Sequence, residues 1–266
     1  MPHTPCGQLH WTEATCDTAT QTVVLLHGLG GDAGFWANEQ QALARHFRVL
    51  ALDMRGSGRS AACSGPLSIE DLAADVVTVL DAAGVESAHV VGFSMGGLVA
   101  QALAVTFPQR VSRLVLAATF ATTNVQARHF LKAVASVYRN DASARLMYDL
   151  IVPWLFSLPF LSDERAAPFL SYPEDGADDQ SREDWLCLLD ADLAFDGRDR
   201  LASIRTPTLV LAGADDALAP PSDAEQLARG IEGAVLRVIP GGHLFNIESA
   251  DAFERELLGF FQAHTD

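Results

Sequence analysis

The chain has 266 residues, 49% of them hydrophobic, and a formal net charge of −16 from 18 basic and 34 acidic side chains. That length and apolar share suit one large α/β domain or a core carrying an insertion, and the acidic surplus argues against nucleic acid and anionic membranes as partners. No apolar run approaches the roughly 20 residues needed to span a bilayer. The opening stretch MPHTPCGQLHWTEATCDTAT has no basic and apolar leader, and Cys6, Cys16, Cys63 and Cys187 show no CxxC spacing. Free thiols in a cytoplasmic protein are expected, in place of a disulfide framework or a zinc site.

In chain order, GQLHWTEA (7–14) predicts an antiparallel edge hairpin. TVVLLHG (22–28), FRVLALD (47–53), AHVVGF (88–93), SRLVLAA (112–118), TPTLVLAG (206–213) and AVLRVIPG (234–241) follow as continuous Val- and Leu-rich runs. Runs without polar alternation suit parallel strands buried on both faces. Helical patterns lie between them: SIEDLAADVVTVLDAAG (68–84), MGGLVAQALAVTFP (95–108), PSDAEQLARGIEG (221–233) and SADAFERELLGFFQAH (249–264). The first opens on Ser68 with an acid at Asp71, a capping-box start, and closes at Gly84. Strand followed by helix, repeated, implies right-handed crossovers and a sheet covered on both faces.

The rhythm breaks after Ala118. Residues 119–200 hold no strand-like run, and ARHFLKAVASVY (127–138), RLMYDLIVPWLFSLPF (145–160) and REDWLCLLDADLAF (182–195) read as helices. Pro153, Pro159, Pro168 and Pro173 are expected to cut this region into short pieces. The expected organisation is an α/β core of residues 1–118 and 201–266 with a helical cap of residues 119–200 inserted in it.

Within VVGFSMGGLV (90–99), Ser94 stands between Gly92 and Gly96, at the junction of a strand and a helix. A chain turning so sharply needs small residues two before and two after the apex. The hydroxyl then stands at the C-terminal edge of the sheet, and the Met95 N–H is free to meet a developing oxyanion. A neutral hydroxyl is a poor nucleophile and needs a base, for which histidine is suited. Of His3, His10, His27, His46, His89, His129, His243 and His264, only His243 lies in a glycine-flanked loop after a late strand, VIPGGHLFNIE (238–248). The imidazole needs a carboxylate in turn, and LAGADDALAP (211–220) offers Asp215 and Asp216. A second oxyanion donor is available in LLHGLGGDAGFW (25–36), the N–H of Leu29, with His27 organising the loop. This glycine-rich loop lacks the Lys-Ser/Thr of a P-loop.

HGLGGD (27–32), LDMRGSGRS (52–60), GFSMGG (92–97), GADDALAP (213–220) and GGHLFNIE (241–248) together resemble the α/β-hydrolase superfamily over nearly the whole chain. The resemblance implies a mostly parallel eight-stranded sheet with helices on both faces, no cofactor, and a Ser94–His243–Asp216 triad. In such relatives the acid stands three residues after the strand-ending glycine and is followed by x-x-x-Pro, which selects Asp216 over Asp215. Asp53 and Arg55 are implied to organise loops beside the site. Residues 189–213 are similar to the cap-exit segment of 3-oxoadipate enol-lactonases and small carboxylesterases, while GFSMGG is as similar to cofactor-free haloperoxidases.

The implied activity is hydrolysis of a small-molecule carboxylic ester or lactone through an acyl-enzyme. C–C bond hydrolysis, a haloperoxidase or perhydrolase activity, and a slow-turnover signalling receptor stay open beside it. Phe93, Trp154, Phe156 and Trp185, with Met147 and Phe160, are candidates for an apolar substrate pocket, although part of such a set packs the interior of the cap.

Overall fold

The computed structural model describes residues 8–140, 143–172 and 180–263; His3, Cys6, Pro173 and His264 lie outside them. Seven strands form one sheet among the described residues: β1 (His10–Ala14), β2 (Thr22–Leu26), β3 (Arg48–Asp53), β4 (Ala88–Phe93), β5 (Val111–Ala117), β6 (Thr208–Gly213) and β7 (Val235–Ile239). Their order is β1-β3-β2-β4-β5-β6-β7. β1 is antiparallel to β3, with His10 opposite Asp53, and each of the other neighbouring pairs is parallel. Where eight strands were expected, the described residues form seven. GQLHWTEA supplies one edge strand, β1, paired with β3, where a hairpin of two was expected.

The strands are buried on both faces, as the apolar runs require. Val24, Leu26, Leu50, Leu52, Val90, Leu114 and Leu116 face one layer of helices, α2 (Ile69–Ala82), α3 (Met95–Thr106) and α8 (Pro221–Gly230). Val23, Leu25, Val49, Ala51, Val91, Phe93 and Val115 alternate onto the other face. There they meet α1 (Ala37–Leu43) and α10 (Ala250–Gln262), through Leu43, Phe253, Leu257 and Phe261. Full burial of each such side chain contributes about 1.5–3 kcal/mol. α2 starts where its capping box predicts. The Ser68 side chain accepts from Asp71 N, the Asp71 carboxylate accepts from Ser68 N, and Gly84 takes φ +67° just past the end.

Between β5 and β6 the chain leaves the sheet for α4 (Val125–Arg139), α5 (Ala144–Leu155), α6 (Leu158–Leu161) and α7 (Arg182–Ala194). α5 carries Pro153 inside its last turn, so this proline does not cut the helix. The carbonyl it leaves without a donor belongs to Asp149, an exposed residue that water can reach. The inserted helices have two small cores of their own. One joins Val134, Tyr138, Met147, Trp185 and Leu189; the other joins Val152, Phe156, Phe160 and Ala166.

Backbone and side-chain bonds stitch the insertion to the sheet layer. Leu244 N donates to Leu155 O at 2.8 Å, and Cys63 N donates to an Asp184 carboxylate oxygen at 2.6 Å. Glu248, in α9 (Phe245–Glu248), accepts from Ser157 N at 2.8 Å, Ser157 Oγ at 2.5 Å and Gly242 N at 2.9 Å. Among the described residues no helix is long and apolar enough to cross a membrane.

Candidate active site

β2, β4, β6 and β7 run in the same direction, so the loops after them gather at one edge of the sheet. Open parallel sheets place their ligands at this edge. Ser94 follows β4 directly and caps α3, with φ 53° and ψ −120°. A non-glycine residue held there stores on the order of 1–3 kcal/mol of strain. Three bonds hold it: Ser94 N donates to Ala117 O at 2.9 Å, and Ser94 O accepts from Thr119 Oγ1 at 2.7 Å and Gly97 N at 2.8 Å.

The flanking glycines are required by close approach of backbone. A Cβ on Gly92 would overlap the Gly96 carbonyl, and a Cβ on Gly96 would overlap the Leu26 carbonyl and lie 2.6 Å from His27 O. Gly96→Ala is therefore expected to cost about 3 kcal/mol, read as a lowered urea midpoint. Gly259→Ala, in α10 with nothing within 4 Å of its added methyl, is expected to gain about 1 kcal/mol in the same measurement. An unchanged midpoint for Gly96→Ala would contradict the packing described.

His243, two residues beyond Gly241, points its Nε2 at Ser94 Oγ, 3.0 Å away, and its Nδ1 at Asp216 Oδ2, 2.8 Å away. An ionised carboxylate only accepts, so Nδ1 carries the proton and Nε2 is left to accept from the serine hydroxyl. Asp216 is buried; its Oδ1 accepts from Leu218 N at 2.8 Å and Ala219 N at 2.9 Å. Burial alone would push this carboxyl up. The His243 charge and hydrogen bond and the two amides outweigh it and hold the carboxyl below its ordinary range. Asp215 is exposed, with its N–H on Gly241 O.

The Leu29 turn lies across from Ser94, closed by Gly31 N donating to Gly28 O at 3.1 Å. Fully buried His27 braces it. Met54 N donates to His27 Nε2 at 3.2 Å, which puts the proton on Nδ1, and Nδ1 donates to Gly28 O at 2.7 Å. Burial pushes the His27 imidazole below its usual range, so it is held neutral. Met95 N is the first amide of α3 and has no acceptor within the helix. Behind the turn, Asp53 accepts from Ala33 N at 2.7 Å, Arg59 N at 3.0 Å and His10 Nδ1 at 2.6 Å, while Arg55 grips Asp75 with two nitrogens.

Ser94 and His243 open on a cavity of about 240 Å³. Its sheet-side wall includes Phe35, Phe93, Phe120 and Leu218; the inserted helices supply Ala127, Leu131, Ile151, Leu155, Trp185 and Asp192. Phe93 lies with its ring centroid 5.5 Å from His243. A second cavity of about 280 Å³ shares Leu29, Ile151, Leu155 and Trp185 with the first. Of the residues the sequence offers as pocket walls, Phe93 and Trp185 line the first cavity. Trp154 does not; it stacks on Phe130 at 4.3 Å. Phe156 does not either, because it packs on Phe160 at 5.1 Å and on Phe169 at 5.2 Å inside the insertion. Phe160 shares that small core, and Met147 lines the second cavity.

Asp192 is not among the site candidates read from the sequence, although it stands in the cap-exit segment 189–213. It is 3% exposed and borders the first cavity. Thr123 Oγ1 donates to its Oδ1 at 3.0 Å. Burial pushes its carboxyl up to about 6, against the opposing pull of the Thr123 bond, Arg128 and His243.

Residues 21–250 match the alpha/beta hydrolase fold family. The protein named "Putative carbamate hydrolase RutD" from Azorhizobium caulinodans is 37% identical over 249 residues, covering 90% of this chain and 90% of its own. Among solved structures, the enol-lactonase of Burkholderia xenovorans superposes with TM-score 0.88 at 31% identity, covering 98% of each chain. A thermophilic esterase of Thermogutta terrifontis gives TM-score 0.83 at 25% identity, covering 96% of this chain and 93% of its own. With the family matched over most of its length and the same fold drawn by its own packing, the chain belongs to the alpha/beta-hydrolase fold family.

Proposed function

We propose that this chain is a serine hydrolase that cleaves a small carboxylic ester or lactone through an acyl-enzyme. The observation that carries the reading is the continuous Asp216–His243–Ser94 hydrogen-bond chain ending at an apolar cavity. Ser94 Oγ attacks the carbonyl carbon and its proton passes to His243 Nε2. Asp216 steadies the imidazolium through Nδ1. The oxygen of the tetrahedral intermediate takes hydrogen bonds from the Leu29 and Met95 amides. The C–O bond breaks, the leaving oxygen takes the proton from Nε2, and a water activated by the same imidazole releases the acid and restores Ser94.

Phe93 and Trp185 serve as substrate walls in this reading. Residues 119–200 act as a cap over a core of residues 1–118 and 201–266. A cytoplasmic location belongs to the same reading, on the absence of CxxC spacing among the cysteines of the sequence. The cavity, at the small end of ligand pockets, supports short or cyclic acyl groups.

Carbamate hydrolysis is the second reading. The relative at 37% identity favours it, and the same serine, base and amides would carry it out. Measuring kcat/KM over p-nitrophenyl esters from acetate to dodecanoate, several lactones and an aryl carbamate tests both. A maximum at butanoate or shorter, or on a lactone, is expected. A maximum at decanoate or longer with activation at an oil–water interface would overturn the compact-pocket reading. Carbamate turnover above that of every ester would select the second reading. Tight ligand binding with no turnover of any of them would point to a receptor.

A further inference from the structure

The walls of the cavity are apolar apart from the reacting groups, with one exception. Asp192 enters from α7, on the inserted side, opposite the sheet that carries Ser94. Thr123 Oγ1 satisfies Oδ1, and among the described residues Oδ2 has no hydrogen-bond partner. Oδ2 is not among the unpartnered polar atoms sealed from solvent, and Asp192 lines the cavity. A nearly buried carboxyl with an open oxygen is costly unless something donates to it. The proton on Thr123 fixes the orientation of the group, so the free oxygen is held where a guest would meet it.

We propose that Asp192 is a specificity-determining residue that accepts a hydrogen bond from an N–H group of the substrate, and that it selects small amino- or amido-bearing acyl compounds over apolar or carboxylate-bearing ones. This rests on the acyl-enzyme reading of Ser94. At neutral pH the carboxyl is largely ionised, so it attracts a donor and repels a carboxylate. Arg128 acts on Asp192 through its charge and makes no hydrogen bond to it; its guanidinium donates to Leu193 O at 2.7 Å. The donor has two sources, a cationic amine and a neutral carbamate or amide N–H, and both share the hydrogen bond to Oδ2.

Matched p-nitrophenyl substrates separate the possibilities. Butanoate and 3-aminopropanoate have the same shape, with a methyl replaced by an ammonium group. Propanoate and N-methylcarbamate differ by a methylene replaced by N–H. Acylation is followed as the release of p-nitrophenol, so that slow decarbamoylation does not mask it. In the wild type, Asp192→Asn and Asp192→Leu, the quantity read is each pair's ratio of acylation rates. Asp192→Leu is expected to lower the 3-aminopropanoate to butanoate ratio about 30-fold. Asp192→Asn keeps the Thr123 bond through its oxygen and sets its NH₂, a donor, where Oδ2 stood, so it is expected to lower the amine ratio about 10-fold if the guest is cationic and the carbamate to propanoate ratio about 10-fold if the guest is a neutral N–H. A larger fall in the carbamate pair than in the amine pair assigns the neutral N–H.

Ratios that stay within about twofold in both variants, with butanoate turnover retained, would overturn the proposal and leave Asp192 as a support for α7. Failure of the underlying reading looks different. A wild type that turns over no ester, and in which a fluorophosphonate does not label Ser94, would remove the acyl-enzyme itself and the proposal with it.

Discussion

Ser94→Ala is expected to remove ester and lactone turnover almost completely, with kcat lowered on the order of 10⁶-fold, while the folded protein keeps its urea midpoint. Among the described residues, the hydroxyl is the only side-chain oxygen hydrogen-bonded to His243 Nε2, at 3.0 Å. The backbone strain at position 94 is imposed by the Ala117, Thr119 and Gly97 contacts, which alanine preserves. His243→Ala should match this loss, because members of one relay act as a unit and their effects do not add. A serine-directed fluorophosphonate should label Ser94 in the wild type and label it poorly in His243→Ala. Labelling of Ser57 or Ser60, or turnover of Ser94→Ala near the wild-type rate, would end the acyl-enzyme reading.

Asp216→Asn should cost nearly as much through a different route. The side-chain oxygen of asparagine keeps the two amide bonds from Leu218 and Ala219, so the NH₂ group takes the place of Oδ2. It then donates to His243 Nδ1, which must be unprotonated to accept. The ring proton moves to Nε2 and faces the serine hydroxyl, so the base is lost to the wrong tautomer. In a serine protease this change costs about 10⁴-fold in kcat, and a similar loss is expected here. Asp215→Asn, at an exposed position, is expected to stay within about twofold. The reverse ranking of the two variants would show that the acid of the site is its neighbour.

The sheet and the three hydrogen-bonded side chains are legible in the sequence. The strands and the nucleophile depend on short-range chemistry, an apolar run too continuous for an exposed strand and a serine flanked by glycines where no side chain fits, whereas local sequence leaves Asp215 and Asp216 open and the family resemblance selects Asp216. The pocket walls depend on long-range packing. Trp154 and Phe156 are two residues apart on or just past one helix, and nothing local tells which apolar side meets Ser94 and which meets Phe130 or Phe160. Asp192 and Glu248 stand in stretches that carry the family resemblance, yet nothing local gives either a role, and only the fold brings Thr123 to one and Ser157 to the other. Pro153 misleads for a similar reason, since water can cover the carbonyl it strands at the exposed Asp149.

The three bonds on Glu248 give the roof a fixed side and a free one. The same carboxylate grips Ser157, the N-cap of α6, and Gly242, next to His243. Lifting the roof along that edge would drag His243 off Ser94, so traffic that leaves the relay intact has to use another doorway. The second cavity, which meets the first at Leu29, Ile151, Leu155 and Trp185, is placed to be that doorway. On the acyl-enzyme reading, a guest admitted there meets the Trp185 side chain, which lines both cavities.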